Sequence, residues 1–261
     1  MNAEMQFFPQ GRPQGRIELM PALGVTLEPD PQHLAANGIA GFGAMSDAIQ
    51  PLMMVRSALL DHARSSGHRR FAITSAEPGN GKTHIAANLA AVLARVHPAV
   101  LVELDLRRPS LGERLGLPAD ALGVDDFLSG ECPWGATEMR FEGVDLAIHR
   151  VRRQRAGAES LLASPALPLA LDRASESGAI CIVDTPPAIL SDDLLLIAQA
   201  VDGMIVVAEE GRSSKRGLQE IVRVVSPTPV IGSILNRSIT LPRRREGYDY
   251  YQSATKSVAP A

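Results

Sequence analysis

Phe71-Ala72-Ile73-Thr74-Ser75-Ala76-Glu77-Pro78-Gly79-Asn80-Gly81-Lys82-Thr83 is the stretch that decides how this chain folds. A short apolar run stops at a glycine-bearing loop, and a helix-compatible stretch, Lys82–Val96, follows at once. Residues 76–83 match a Walker A loop with Ala76 at its first glycine position. Glycines at 79 and 81 let backbone amides turn inward as an anion nest, and the helix N-terminus adds partial positive charge. Glu77, Pro78, Gly79, Asn80, Gly81, Lys82, Thr83 and His84 are thus the expected phosphate-binding run. Lys82 would reach the β and γ phosphates, and Thr83 would offer its hydroxyl to magnesium.

Outward from this loop, short aliphatic runs alternate with helical patterns. Phe71–Ser75, Val100–Asp105, Val144–Ile148, Ala179–Asp184, Met204–Ala208 and Val230–Leu235 read as strands buried on both faces. Lys82–Val96, Ser160–Ser175, Asp192–Ala200 and Ser213–Val225 read as helices, as does a stretch from an N-cap at Ser46 to about Arg64, with Pro51 in its first turn. The alternation predicts an α/β fold, a doubly wound, mostly parallel sheet of the P-loop NTPase kind in three α/β/α layers. Ligands bind such sheets at the carboxyl ends of the strands.

Two further strand ends carry carboxylates. Asp184 closes Ile182-Val183-Asp184-Thr185-Pro186-Pro187, where a Walker B aspartate would orient magnesium. Glu103 and Asp105 stand two apart at the end of another strand, hence on one side of an extended segment. They suit positioning magnesium or taking a proton from an attacking hydroxyl. The plainer alternatives are a solvent-facing Glu103 and an Asp105 paired with Arg107 or Arg108.

Composition sets the class. The 261 residues are 45% hydrophobic and 21% charged, with a net charge of −3. No apolar run approaches a membrane span, and no secretory signal precedes the domain. The charge gives no general reason to expect nucleic acid, and the basic cluster Arg150, Arg152, Arg153 and Arg155 is expected to be a solvated face. Two cysteines, Cys132 and Cys181, give neither a disulfide framework nor a zinc site, which fits a reducing cytoplasm. Residues 1–44, with five prolines and six glycines, read as a flexible arm; 45–238 form the expected nucleotide-binding domain. Residues 239–261 read as a flexible tail holding all three tyrosines, Tyr248, Tyr250 and Tyr251, after Arg243, Arg244 and Arg245.

From about Met45 onward these motifs resemble the tyrosine autokinases of bacterial capsule and exopolysaccharide synthesis, within the partition and septum-site ATPase superfamily. Besides the Walker A loop, Glu103-Leu104-Asp105-Leu106-Arg107-Arg108-Pro109 resembles their second motif, with Glu103 in place of its first aspartate. Asp184-Thr185-Pro186-Pro187 resembles their Walker B. Gly123-Val124-Asp125-Asp126-Phe127-Leu128-Ser129-Gly130 and Gly232-Ser233-Ile234-Leu235-Asn236-Arg237 resemble two further recurrent segments. The resemblance implies ATP with magnesium, Lys82, Asp105, Glu103 and Arg107 as catalytic residues, and Thr83, Glu103, Asp105 and Asp184 around the metal. It also implies Asn236 against adenine and the three tail tyrosines as phosphoacceptors in trans.

The implied partners are a membrane chain-length determinant or co-polymerase adaptor, tyrosine-bearing protein substrates and further copies of the chain. The implied place is the inner face of the plasma membrane, reached through the adaptor. Glu77 stands where partition ATPases carry a signature lysine, which disfavours DNA partitioning. Asp47, Gln50 and Met53 occupy the places of the glutamate and two arginines that build the family's ring. A catalytically weak ATP-binding regulatory module and a partition-type ATPase are the competing functions.

Overall fold

The computed structural model describes residues 24–188 and 192–238. In chain order the strands are β1 (Val25–Leu27), β2 (Arg70–Thr74), β3 (Ala99–Glu103), β4 (Met139–Phe141), β5 (Leu146–His149), β6 (Ile180–Asp184), β7 (Gly203–Glu209) and β8 (Val230–Asn236). The helices are α1 (Pro31–Ala36), α2 (Gln50–Ser66), α3 (Lys82–Ala94), α4 (Leu111–Leu115), α5 (Val124–Leu128), α6 (Ala158–Leu162), α7 (Ala166–Ala174), α8 (Asp193–Ala198) and α9 (Lys215–Val224). The strands form one sheet in the order β1-β4-β5-β3-β6-β2-β7-β8, parallel throughout except for β4 against β5.

Strand residues alternate between two cores. Phe71, Ile73, Leu101, Ile182 and Ile205 pack with residues of α1 to α4, whereas Ala72, Val100, Val102, Cys181 and Val183 pack with α5 to α9. The three-layer arrangement follows from this period of two. Helix α3 is apolar around nearly its whole circumference, because it lies between the sheet and α2. Its alanines 86, 87, 90 and 91 permit close approach, while Leu89 and Leu93, both fully buried, each contribute roughly 1.5–3 kcal/mol of apolar burial.

The structure departs from expectation in three places. Residues 24–44 belong to the folded domain rather than to an arm. Strand β1 pairs with β4, α1 is capped by the Asp30 carboxylate, and Leu34 and Ile39 join the core. Helix α2 begins at Gln50, with Ile49 rather than Ser46 at its cap. The stretch expected as one helix over Ser160–Ser175 is two, α6 and α7, with Pro165 at the boundary. The tail expected over 239–261, with Tyr248, Tyr250 and Tyr251, lies outside the described residues.

Candidate active site

Strands β3, β6 and β2 are consecutive in the sheet, so Glu103, Asp184 and the loop after Thr74 open on the same carboxyl edge. Glu103 and Asp184 are register partners, as are Ile73 and Asp184. The loop itself turns through Gly79 and Gly81 at φ of 85° and 90°, a region glycine enters freely. A Cβ on Gly81 would lie 2.3 Å from Asn236 Nδ2.

Three successive carbonyls of the loop face outward onto donors from the neighbouring strand ends. Arg212 Nη2 donates to Pro78 O at 2.9 Å, Arg237 Nη1 to Gly79 O at 3.1 Å, and Asn236 Nδ2 to Asn80 O at 2.9 Å. Asn80, buried, donates to Ser213 Oγ at 2.7 Å and to Glu77 Oε2 at 3.2 Å. Glu77, placed among the phosphate ligands in the sequence, therefore ties the loop to the start of α9. Asn236, expected against adenine, uses one N–H of its amide to hold the loop, which leaves its second N–H and its oxygen for a ligand.

Lys82 is buried at the start of α3, and burial lowers its pKa against the charges of Asp184 and Asp105. Asp184 is fully buried, and neither of its carboxylate oxygens has a hydrogen-bond partner among the described residues. Burial raises its pKa to about 7, against the pull of the Thr83 hydroxyl and the Lys82 ammonium. A buried carboxylate without protein donors, beside a threonine hydroxyl, fits the outer ligands of a magnesium ion whose other partners are phosphate oxygens and water.

Glu103 is neither solvent-facing nor free. Its Oε1 accepts from the Ser110 and Leu111 amides at 2.7 and 2.8 Å, and its Oε2 accepts from Val151 N at 2.9 Å. Burial and the charge of Asp184 nonetheless push its pKa up to about 8. The extra methylene relative to aspartate lets this carboxylate button α4 and the loop after β5 to the end of β3. Its expected place beside the metal is therefore corrected to that of a support. Asp105 Oδ1 caps Arg108 N at 2.9 Å, and its charge reaches both Lys82 and Asp184.

Arg107 requires a larger correction. Its Nε and Nη2 form a forked pair with Asp193 at 2.6 and 3.0 Å, with Asp193 1% exposed. The fork matches the carboxylate plane, so this guanidinium is engaged at α8 rather than aimed at phosphate. The basic cluster is only in part the solvated face expected, since Arg153 is exposed but Arg150 and Arg155 are not. Arg150 is buried, donating to Pro118 O and Ala121 O, and Arg155 pairs with Asp125 and Asp126 at 2.8 Å each. Those acids sit in the segment quoted above for its resemblance.

Sequence reasoning missed Asn88. Its Oδ1 accepts from Ala40 N and Gly41 N at 2.8 Å, and its Nδ2 donates to Gly38 O and His84 O. An asparagine within an apolar helical run was the available signal. His149, assigned no catalytic role, stacks on Trp134 with ring centroids 3.8 Å apart and bonds the Thr137 hydroxyl; burial pushes its pKa down to about 3. Among the described residues no helix is long and apolar enough to cross a membrane.

No protein-family model matches the chain. It is 32% identical over 179 residues to the succinoglycan biosynthesis transport protein ExoP of Rhizobium meliloti, covering 66% of this chain and 23% of that protein. It is 27% identical over 173 residues to the tyrosine-protein kinase Ptk of Acinetobacter johnsonii, covering 66% and 24%. The chain thus spans about a quarter of the length of these curated relatives. The crystal structure of the VpsO kinase domain superposes with a TM-score of 0.66 at 26% identity, over 79% of this chain and 96% of that one. The septum site-determining protein MinD of Pyrococcus horikoshii, solved with Mg-ADP, shares the fold at 21% identity and a TM-score of 0.56, over 67% and 74%. By sequence and by fold, the chain is a homologue of bacterial proteins named as tyrosine-protein kinases, and it carries the P-loop NTPase architecture of their kinase domains.

Proposed function

We propose that this chain is an ATP- and magnesium-dependent protein-tyrosine kinase. It phosphorylates Tyr248, Tyr250 and Tyr251 of another copy, and it regulates polysaccharide polymerisation and export together with a membrane chain-length co-polymerase at the inner face of the plasma membrane. The observation that carries this is Asp184, a buried carboxylate whose two oxygens lack protein donors, beside the Lys82 and Thr83 of a phosphate loop.

Lys82 and the amides of residues 79–83 would hold the phosphates, and Thr83 and Asp184 would hold the magnesium ion. Magnesium, when bound, would screen charge on the β and γ phosphates. The tyrosine oxygen forms a bond to the γ phosphorus as the bond from that phosphorus to the β–γ bridging oxygen breaks. Asp105 takes the phenolic proton, and ADP leaves. Glu103 acts by holding α4 and the loop after β5 in place.

The test is purified full-length chain with magnesium and ATP, with and without the partner's cytoplasmic segment. Phosphotyrosine is mapped by mass spectrometry against Lys82→Met. Phosphate on the tail tyrosines that vanishes in Lys82→Met supports the kinase; phosphate retained in that variant overturns the mechanism. The occupied carboxylate of Glu103 and the engaged Arg107 favour one second reading, a regulatory module with weak transfer. ATP binding without phosphotyrosine, even with the partner present, would select it.

A further inference from the structure

Arg107, the guanidinium expected to meet phosphate charge, is held by Asp193. Arg114 follows seven residues on, in α4. Its Nε is buried without a hydrogen-bond partner, and its guanidinium makes no ion pair among the described residues. Arg56, Arg70 and Arg150 also bury an Nε without a partner, but what sets Arg114 apart is its place, since its charge acts on both Asp184 and His84 beside the phosphate loop.

Its direction is fixed by the elements around it. The Glu103 carboxylate pins the first turn of α4 through the Ser110 and Leu111 amides, and Ser110 Oγ lies 3.5 Å from Thr83 Oγ1. Arg114 stands one turn after Ser110 on the same flank, while Leu111 and Leu115 turn into the core. Helical side chains lean toward the helix N-terminus, which carries the Arg114 stem back toward Ser110 and Thr83. Its charge is felt there: Arg114 is among the groups that draw Asp184 down, and it depresses His84 behind that residue's own burial.

We propose that Arg114 is a phosphate-contacting arginine of this site, donating to the terminal phosphate of a bound nucleoside triphosphate in the role expected of Arg107. The proposal rests on the nucleotide reading of the phosphate loop but not on tyrosine being the acceptor.

The experiment titrates the full chain, with magnesium, against ADP and against a non-hydrolysable β,γ-imido ATP analogue by calorimetry. It compares wild type, Arg114→Gln and Arg114→Lys, with a melting temperature for each. Loss of one charge-assisted bond predicts that Arg114→Gln weakens the triphosphate analogue by about 10- to 100-fold and ADP by less than about threefold. Arg114→Lys, which keeps the charge, recovers part of the preference. An unmoved triphosphate-to-diphosphate ratio in Arg114→Gln overturns the proposal, as does an equal loss by Gln and Lys that follows their melting temperatures. Wild type that binds no nucleotide overturns the site itself, whereas a shifted ratio without phosphotyrosine leaves Arg114 in place and removes only the kinase.

Discussion

Replacing Asn88 with alanine should loosen residues 38–41 from the phosphate-loop helix. The side chain accepts from Ala40 N and Gly41 N at 2.8 Å each, and donates to His84 O at 2.9 Å and Gly38 O at 3.3 Å. Truncation removes all four bonds and leaves two amides without acceptors. An orphaned buried donor costs about 1–3 kcal/mol, so the expected loss is about 2–4 kcal/mol in total. With a urea dependence of about 2 kcal/mol per molar, the unfolding midpoint falls by roughly 1–2 M. Hydrogen exchange should accelerate at Ala40 and Gly41 beyond the change expected from global stability. A loss under about 0.5 kcal/mol with unchanged exchange at those amides would refute the clamp.

Three further outcomes are expected. Arg107→Ala should destabilise more than Asp193→Ala, by about 1–2 kcal/mol in thermal or urea unfolding, because it strands a buried carboxylate whereas the reverse change frees a half-exposed guanidinium; equal effects would remove the fork from the account. Glu103→Asp, although it restores the motif's residue, should lose about 1–3 kcal/mol and expose Ser110–Leu115 to proteolysis, since the shorter carboxylate cannot span to α4 and Val151 together; a variant as stable as wild type contradicts the support role. For Asp184, burial places the folded pKa at about 7, above its ordinary 3.8. Its stabilising contribution is thus complete below the unfolded value and lost as pH rises through about 7. Glu103, at about 8, acts in the same direction. Melting temperatures in chelator without nucleotide should fall from pH 6 to 8.5, less steeply in Asp184→Asn; parallel slopes would show that Asp184 is not the group.

The six strands anticipated from aliphatic runs are all present; the five inner ones are continuously apolar because both faces are buried, whereas β8, at the sheet edge, is half-exposed rather than buried on both faces as expected. Strands β1 and β4 escaped because a run of three residues carries almost no periodicity. Residues 24–44 looked like an arm for a related reason: their order comes from Asn88, Arg95 and the Phe42–Phe141 ring contact, all supplied by distant sequence. In the site, Lys82, Thr83, Asp105 and Asp184 converge as a loop-and-strand-end pattern requires. The motif could not reveal where Arg107 and Glu103 point. One is turned aside by Asp193, which lies 86 positions away, and the other is filled by amides from two separate loops.

The strand order also places the two ends of the described fold unequally about the phosphate loop. The chain enters beside β1, five strand spacings or roughly 24 Å from β2, and leaves after β8, only two spacings or roughly 10 Å away. At the near end the coupling is immediate, since Asn236 and Arg237, the residues just before Ser238, hold the carbonyls of Asn80 and Gly79. At the far end a load must travel across the sheet or through Asn88 along α3. A pull of equal size therefore acts through a short lever from one terminus and a long one from the other, and the short lever belongs to the terminus that carries the tyrosines.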